Sequence, residues 1–315
     1  MSKRLLIIAA ILGLALWALG RRTAAAAENP TSGPSVSMVV TVEAVHGSEV
    51  PLVTRDDVLV HEGRDRDKVT DWVPTQGDHA ALELVILLDD ASDATLGNQL
   101  ADLRKFILAQ PETTKVSVAY MRNGTAKMEQ NLTSDHAAAA KALRLPTGIA
   151  SVNGTPYFAL SDLIKHWPAS SARREVIMAT DGIDRYYNSA DLLDPYLAAA
   201  ISDAQRAGVI VYAINTPGVG HYGHSSWQKY WGQLYLAQLA EETGGESYYI
   251  FFNGPPVAFA PYLDEVEHRL GQQYLLTFIA KPQKKSGFQP VKVKTEIHNA
   301  ELVSAKKVYV PAGEP

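Results

Sequence analysis

From Leu82 onward, short apolar runs alternate with longer stretches in which apolar residues recur at helical spacing. Runs such as LVILL and EVIMAT are apolar throughout, which is typical of strands that helices cover on both faces. The pattern predicts an α/β, Rossmann-like domain at residues 81–280, with a mainly parallel central sheet and helices on both faces. The predicted strands are 84–88, 116–121, 175–180, 209–214 and 246–251, and the predicted helices are 96–108, 137–143, 157–166, 192–207, 227–242 and 261–271.

The segments on either side of this domain are typical of strands. The N-terminal residues 36–80 and the C-terminal residues 281–315 each contain too few strand-like runs to cover an apolar sheet face alone. We therefore predict that the N- and C-terminal flanking strands pack together as a small β-sandwich. The predicted flanking strands are 37–45, 57–61, 69–73, 274–280, 291–298 and 302–310, with a hairpin loop at 281–290.

The N terminus has the pattern of an export signal. Lys3 and Arg4 precede an apolar run at residues 5–20, and a stretch of alanines ends at Ala27. This pattern predicts that residues 1–27 are a signal peptide or, if uncleaved, a membrane anchor, and that residues 28–35 are a flexible spacer. Both alternatives place the folded chain outside the cytoplasm, as a periplasmic, secreted or cell-surface protein.

Several classes of function conflict with the composition. The chain contains no cysteine, which excludes disulfides, thiolate metal sites and a cysteine nucleophile. Its formal net charge of -5 offers no basic surface for nucleic acid. None of the common nucleophile-elbow, phosphate-loop, zinc-helix or dinucleotide-binding motifs occurs, so we predict that the protein is not an enzyme.

The segment LVILLDDASDATLG combines a buried strand with an acidic loop. Asp89, Asp90 and Asp93 follow the strand closely, with Ser92 between them. Carboxylates this close repel each other unless they are solvated or a cation neutralises them, and a hard divalent ion prefers such oxygen ligands.

Two further loops should open on the same edge of the sheet, because the carboxyl ends of parallel strands lie together. Thr155 precedes the predicted helix at 157–166, and Asp181 and Asp184 follow the strand EVIMAT. A purely structural interpretation stays open, in which Thr155 caps its helix and Asp181 begins a turn.

At residues 82–279 the chain resembles the von Willebrand factor type A (VWA) domain, and more closely the version found in secreted proteins of Acidobacteria. The resemblance rests on the strand that ends in Asp89 and on the segments NGTPYFAL, VIMATDG and LAEETGGESYYI. The preceding TRDDVLVHEG resembles the β segment that comes before the domain in that bacterial group. The resemblance implies an exported binding or adhesion protein.

The VWA resemblance also implies a metal-ion-dependent adhesion site. Asp89, Thr155 and Asp181 match residues that hold Mg²⁺ in the family, and the ion then accepts a carboxylate from a protein partner. Ala91 and Asp93 stand where the family has serines, so one oxygen ligand is missing and one hydroxyl has become a charge. Two alternatives remain: a working site for Mg²⁺, Ca²⁺ or Mn²⁺ that uses Asp93, or a vestigial site in a structural component of a cell-envelope assembly.

The segment GVGHYGHSSWQKYWGQLYL is the second candidate for recognition. Its aromatic residues could form a binding surface, whereas the spacing of Trp227, Trp231 and Leu234 is typical of the buried face of a helix. We favour the buried interpretation for the tryptophans. The predicted partner contacts are Asp90, Ser92, Asp184, His221, Tyr222 and His224.

Overall fold

The structure is a computed structural model that describes residues 33–148, 155–187, 194–216, 218, 225–249 and 258–312. The predicted signal segment, residues 1–27, lies outside these ranges. The strands are β1 Ser35–Ala44, β2 Val58–Glu62, β3 Asp65–Pro74, β4 Leu82–Asp89, β5 Thr114–Arg122, β6 Thr125–Thr133, β7 Arg173–Thr180, β8 Val209–Asn215, β9 Ser247–Tyr248, β10 Gln273–Ile279, β11 Gly287–Pro290, β12 Lys292–Thr295, β13 Ala300–Ser304 and β14 Lys307–Val310. The helices are α1 Leu100–Ala109, α2 His136–Lys141, α3 Pro156–His166, α4 Pro195–Ala207, α5 Ser226–Thr243 and α6 Ala260–Gly271. Among the described helices, none is long and apolar enough to cross a membrane.

The central sheet has the strand order β6-β5-β4-β7-β8-β9. Neighbouring strands are parallel except for β6, which runs antiparallel to β5. The chain moves outward from β4 to β6 and then returns to β7, so the order reverses between β4 and β7. In open α/β sheets, this reversal leaves a crevice at the carboxyl ends of the strands. Asp89 ends β4 and Asp181 follows β7, so both lie at the crevice.

Helices cover both faces of this sheet, as the apolar runs predict. Along β4, Leu84 and Leu88 pack in one core with side chains of α1 and α6. Val85 and Leu87 point the other way and pack with side chains of α3, α4 and α5. The alternation follows from the two-residue period of a strand. The predicted Rossmann-like α/β class is therefore confirmed.

Strand β6 is missing from the sequence prediction. It pairs with β5 through a two-residue turn, in which Asn123 and Gly124 have φ angles of 52° and 70°. An Asn-Gly turn of this kind is a strong hairpin signal, since both residues tolerate positive φ. The strand itself is mostly half-buried or exposed, which is why its apolar pattern is weak.

Strands from both ends of the chain form a second sheet, with the order β12-β2-β3-β10-β1-β13. Its core contains Val40 and Val60 from the N-terminal part and Leu276 and Phe278 from β10. Because β10 pairs with β1 and β3, residues 273–279 belong to this sheet and not to the α/β domain that we predicted for residues 81–280. A two-layer sandwich stays a prediction.

The predicted strand 302–310 is two strands, and the predicted loop 281–290 contains β11. Strand β13 pairs with β1, whereas β14 pairs with β11 in a separate two-stranded sheet. The chain bends between them where it packs on the end of α5, since a Cβ on Gly244 would lie 2.7 Å from the backbone nitrogen of Ala305. The Lys306 amide also donates to the Glu242 carbonyl at 3.1 Å. Tertiary contact therefore divides an otherwise continuous apolar run.

Asp67 in β3 makes the stability of the folded chain depend on pH. Burial first, and then the charges of Glu62 and Asp65, raise the pKa of Asp67 to about 6. Its Oδ2 atom is buried and has no hydrogen-bond partner in the part of the chain that the structure describes. The folded chain therefore loses stability as the pH rises through 6, because ionising this carboxyl costs more in the folded than in the unfolded state.

We expect Asp67→Asn to stabilise the protein at pH 8 by on the order of 1 kcal/mol, after allowance for solvent screening. The gain should disappear below pH 4, where Asp67 is protonated in both states. Urea unfolding of both proteins at pH 8 and pH 4 measures this difference. A gain of equal size at both pH values would contradict the assignment of the effect to ionisation.

Candidate functional site

The candidate site lies at the crevice between β4 and β7, and Asp89 is at its centre. Asp89 is 7% exposed. Its Oδ1 accepts a hydrogen bond from the Ala91 amide at 2.9 Å, and its Oδ2 accepts one from the Thr180 hydroxyl at 2.7 Å. Burial, and then the charge of Asp181, raise the pKa of Asp89 above its ordinary value. Two carboxyl groups thus share a nearly dry site that favours a neutralising partner.

Arg185 is that partner. Its guanidinium forms an ion pair with Oδ2 of Asp181, and both side chains are more than nine-tenths buried. A second guanidinium nitrogen donates to Oδ1 of Asp181 at 3.4 Å, and the Ile183 amide donates to the same oxygen at 3.0 Å. The positive charge of Arg185 also lowers the pKa of Asp89 against the effect of burial. One guanidinium therefore acts on both carboxyl groups.

Gly218, in the loop after β8, lies against this ion pair. A Cβ on Gly218 would lie 2.2 Å from Oδ2 of Asp181 and 2.8 Å from the Arg185 guanidinium. Gly218 forms an isolated β-bridge with Ser92. The Ser92 hydroxyl lies 3.2 Å from the hydroxyl of Thr216. Ser92, a predicted partner contact, thus connects two loops in the interior and is only 1% exposed.

Asp90 has a different role from Asp89, although the two are adjacent. It accepts a hydrogen bond from the Arg144 guanidinium at 2.7 Å and one from the Thr147 amide at 2.9 Å. Burial opposes ionisation, but these hydrogen bonds and the charge of Arg144 hold the pKa of Asp90 below its ordinary value. Arg144 also lies 3.8 Å from the ring centre of Tyr120. Asp90 therefore fastens the segment before residue 148 to the end of β4.

Asp93 and Thr155, both predicted metal ligands, serve as cap residues. The carboxylate of Asp93 accepts a hydrogen bond from the Thr95 amide at 2.8 Å at the start of the 3-10 turn Ala94–Gln99. The hydroxyl of Thr155 accepts one from the Tyr157 amide at 3.3 Å at the start of α3. These bonds satisfy backbone donors that a helix start leaves free.

Asp184 supports the loop that follows Asp181. Its Oδ1 accepts hydrogen bonds from the amides of Tyr186 at 2.7 Å and Tyr187 at 2.9 Å. Asp184 itself is 6% exposed, so it positions these tyrosines and is not itself a surface contact. Outside the described residues lie three predicted contacts, His221, Tyr222 and His224.

The first turn of α5 corrects our interpretation of the tryptophans. Trp227 is 56% exposed and Tyr230 is 55% exposed, while Trp231 is half-buried. The side of α5 that faces the sheet carries its small residues and the apolar residues of its later turns. This orientation follows because α5 passes close to the loop after β7. The buried residues of α5 are Gly232, Tyr235, Leu236, Leu239, Ala240 and Thr243.

Mg²⁺ does not fit the site in this arrangement. Both oxygens of Asp89 and both oxygens of Asp181 accept hydrogen bonds from protein donors. Among the described residues, no group of three or more acidic or histidine side chains is placed to hold a metal ion. Ala91 supplies no oxygen ligand from its side chain. The metal site stays a prediction, and the arrangement of the donors counts against it.

The sequence predicted that Asp89 and Asp181 lie close together. It did not predict that Arg185, Thr180 and Gly218 contact them. Arg185 follows Asp181 by four residues, and a lone basic side chain beside several loop carboxylates was the available signal. Gly218 carried no signal, because its role depends on where its loop folds.

Strand order and site together define a Rossmann-like α/β protein whose candidate site lies at the reversal of the sheet. Two VWA domains are among the solved structures to which this chain is similar. The VWA domain of SpRpn10 has a TM-score of 0.39 and 12% identity, and the match covers 61% of this chain and 97% of that chain. The ArnB paralog VWA2 from Sulfolobus acidocaldarius has a TM-score of 0.39 and 9% identity, and the match covers 88% of this chain and 76% of that chain.

An aerotolerance-related membrane protein from Bacteroides fragilis is also similar, with a TM-score of 0.43 and 16% identity over 60% of this chain and 98% of that chain. No family model matches the chain, and no curated protein matches it. At this level of similarity these likenesses say nothing of function. The closer resemblance to the acidobacterial proteins stays a prediction.

Proposed function

We propose that this chain is an exported VWA-type protein that recognises a protein partner through the carboxyl edge of its central sheet, without a bound metal ion. The observation that carries the proposal is a set of exposed aromatic side chains at that edge. They are Tyr186, Tyr187, Trp227 and Tyr230, which we call the aromatic edge, and each is at least 40% exposed. Large exposed aromatic side chains are typical anchors of protein interfaces.

The fold brings these residues to the same edge. Tyr186 and Tyr187 follow β7, and the helices that return antiparallel to the strands begin at that edge, so the first turn of α5 presents Trp227 there. Tyr186 is held by ring contacts at 5.6 Å with Phe158 and at 5.4 Å with Tyr196. Side chains held in this way lose little conformational freedom on binding.

The alternative role, a structural part of an envelope assembly, would use a different surface. The second sheet ends in β12 and β13, whose outer backbone groups could pair with a neighbouring strand. The two roles therefore predict partner contacts at different surfaces, the aromatic edge in one case and strands β12 and β13 in the other. Export itself rests on the N-terminal pattern of Lys3, Arg4 and the apolar run.

Site-specific photo-cross-linking separates the two roles. We expect a photoreactive residue at position 187 or 227 to yield one discrete protein adduct in cells that produce the full chain. A photoreactive residue in place of Leu52, which is 77% exposed in the N-terminal flanking segment, is the matched control and should yield none. Adducts from positions 292 or 301 alone, in β12 and β13, would contradict the proposal and support strand-edge assembly.

A further inference from the structure

The candidate site already contains a positive charge of its own. Asp89 and Asp181 contribute two carboxyl groups, and Arg185, whose side chain is 8% exposed, pairs with Asp181. Buried carboxylates need a neutralising charge or a proton. The ion pair between Arg185 and Asp181 supplies a positive charge from within the same loop.

Each carboxylate oxygen of Asp89 and Asp181 also already has a protein donor. The four carboxylate oxygens accept hydrogen bonds from two backbone amides, one hydroxyl and the guanidinium. A divalent ion prefers carboxylate oxygens together with water or carbonyl ligands. Here it would have to displace the guanidinium from Asp181 before it could reach that carboxylate.

The space above the ion pair is occupied by backbone. Gly218 approaches Asp181 so closely that even a methyl group at this position would lie 2.2 Å from Oδ2. The bridge between Gly218 and Ser92 fixes this loop to the one that follows β4. Gly218 therefore leaves little room for a further ligand beside Oδ2 of Asp181.

We infer that the guanidinium of Arg185 takes the place of the divalent cation that the VWA resemblance implies. Arg185 pairs with Asp181, places a positive charge near Asp89, and keeps metal ions out. The site is thus a permanent internal ion pair, and its state does not depend on the supply of divalent ions. The inference concerns the site alone and does not depend on the proposed partner surface.

The test is a titration of the purified full chain with Mn²⁺, followed by thermal unfolding and by the electron paramagnetic resonance signal of free Mn²⁺. We expect the wild type to show neither Mn²⁺ binding nor a shift of the unfolding midpoint. Arg185→Ala frees Asp181 and removes the positive charge near Asp89. It should gain saturable Mn²⁺ binding, with a rise in midpoint of roughly 2–4 °C or more at millimolar Mn²⁺. Adding Asp181→Asn to that variant should abolish the gain.

Arg144→Ala is the matched control, because it removes the arginine that pairs with Asp90 at the same edge but leaves Asp181 paired. It should gain no Mn²⁺ binding. Wild-type binding of Mn²⁺ that Asp89→Asn abolishes would overturn the inference, and this arm decides even if Arg185→Ala does not fold. A folded Arg185→Ala variant that does not bind Mn²⁺ would also overturn the inference, because Arg185 would then not be the group that excludes the ion.

Discussion

Replacing Gly232 by alanine is expected to lower the free energy of unfolding by about 2–4 kcal/mol. Gly232 lies within α5, where the helix crosses the loop after β7. A Cβ at this position would lie 2.2 Å from the Asp181 carbonyl oxygen and 3.1 Å from Cγ1 of Ile183. The carbonyl is backbone and cannot rotate away, so the whole helix would have to move outward.

The crossing is tight from both sides, which leaves little room for adjustment. A Cβ on Gly182 would lie 2.4 Å from the Gly232 carbonyl oxygen, and Gly182 has a φ of +71° that only glycine adopts without strain. The Tyr157 hydroxyl also donates to the Gly182 carbonyl at 2.7 Å, which holds this loop in place. Moving the helix would therefore disturb the loop that carries Asp181.

Gly271→Ala is the control for the effect of removing a helical glycine. Gly271 ends α6, its φ is not in the positive range, and nothing lies within 4 Å of an added Cβ. This variant should match the wild type or gain up to about 1 kcal/mol. Urea unfolding followed by tryptophan fluorescence measures both variants. Equal stability of Gly232→Ala and the wild type would show that α5 does not approach the loop this closely.

Asp181→Ala is expected to destabilise the protein by about 3–5 kcal/mol, because it leaves the buried Arg185 guanidinium without its closest partner. The Ile183 amide would lose its acceptor as well. Removing both members of a buried pair costs much less than removing one, since no charge is then left buried alone. The double variant Asp181→Ala/Arg185→Leu should therefore recover much of the loss.

A double-mutant cycle with Arg185→Leu measures this coupling. The pair of the exposed Lys165 and the half-buried Asp203, 3.3 Å apart, is the control, and Lys165→Ala should cost less than about 1 kcal/mol. Additive effects of Asp181→Ala and Arg185→Leu would contradict a direct ion pair between the two side chains. The cycle needs no metal ion, so its result is separate from the Mn²⁺ titration.

Together these variants describe one structural unit at the carboxyl edge of the sheet. Gly232 allows α5 to pack against the loop, Arg185 pairs with Asp181 within it, and Asp184 positions Tyr186 and Tyr187 beside it. A stable edge of this kind would present the aromatic side chains in a fixed arrangement. The proposed recognition without a metal ion would depend on that arrangement.

The α/β class could be predicted because strands covered on both faces must be apolar throughout, and this property is local. The same reasoning placed Asp89 and Asp181 together, since the strands that precede them were recognisable and parallel strands end at one edge. Strand β6 escaped notice because one of its faces is exposed, although Asn123 and Gly124 marked its turn.

From the sequence it followed that acidic side chains would gather at one edge of a parallel sheet, because periodicity and strand ends are local properties. What lies against these side chains depends on tertiary packing. Thr180 reaches Asp89 from β7, Arg185 reaches Asp181 within one loop, and Gly218 reaches Asp181 from the loop after β8. The charge and the free space at a buried site depend on all of its neighbours. A sequence pattern that marks possible metal ligands therefore does not determine whether the site needs a metal ion.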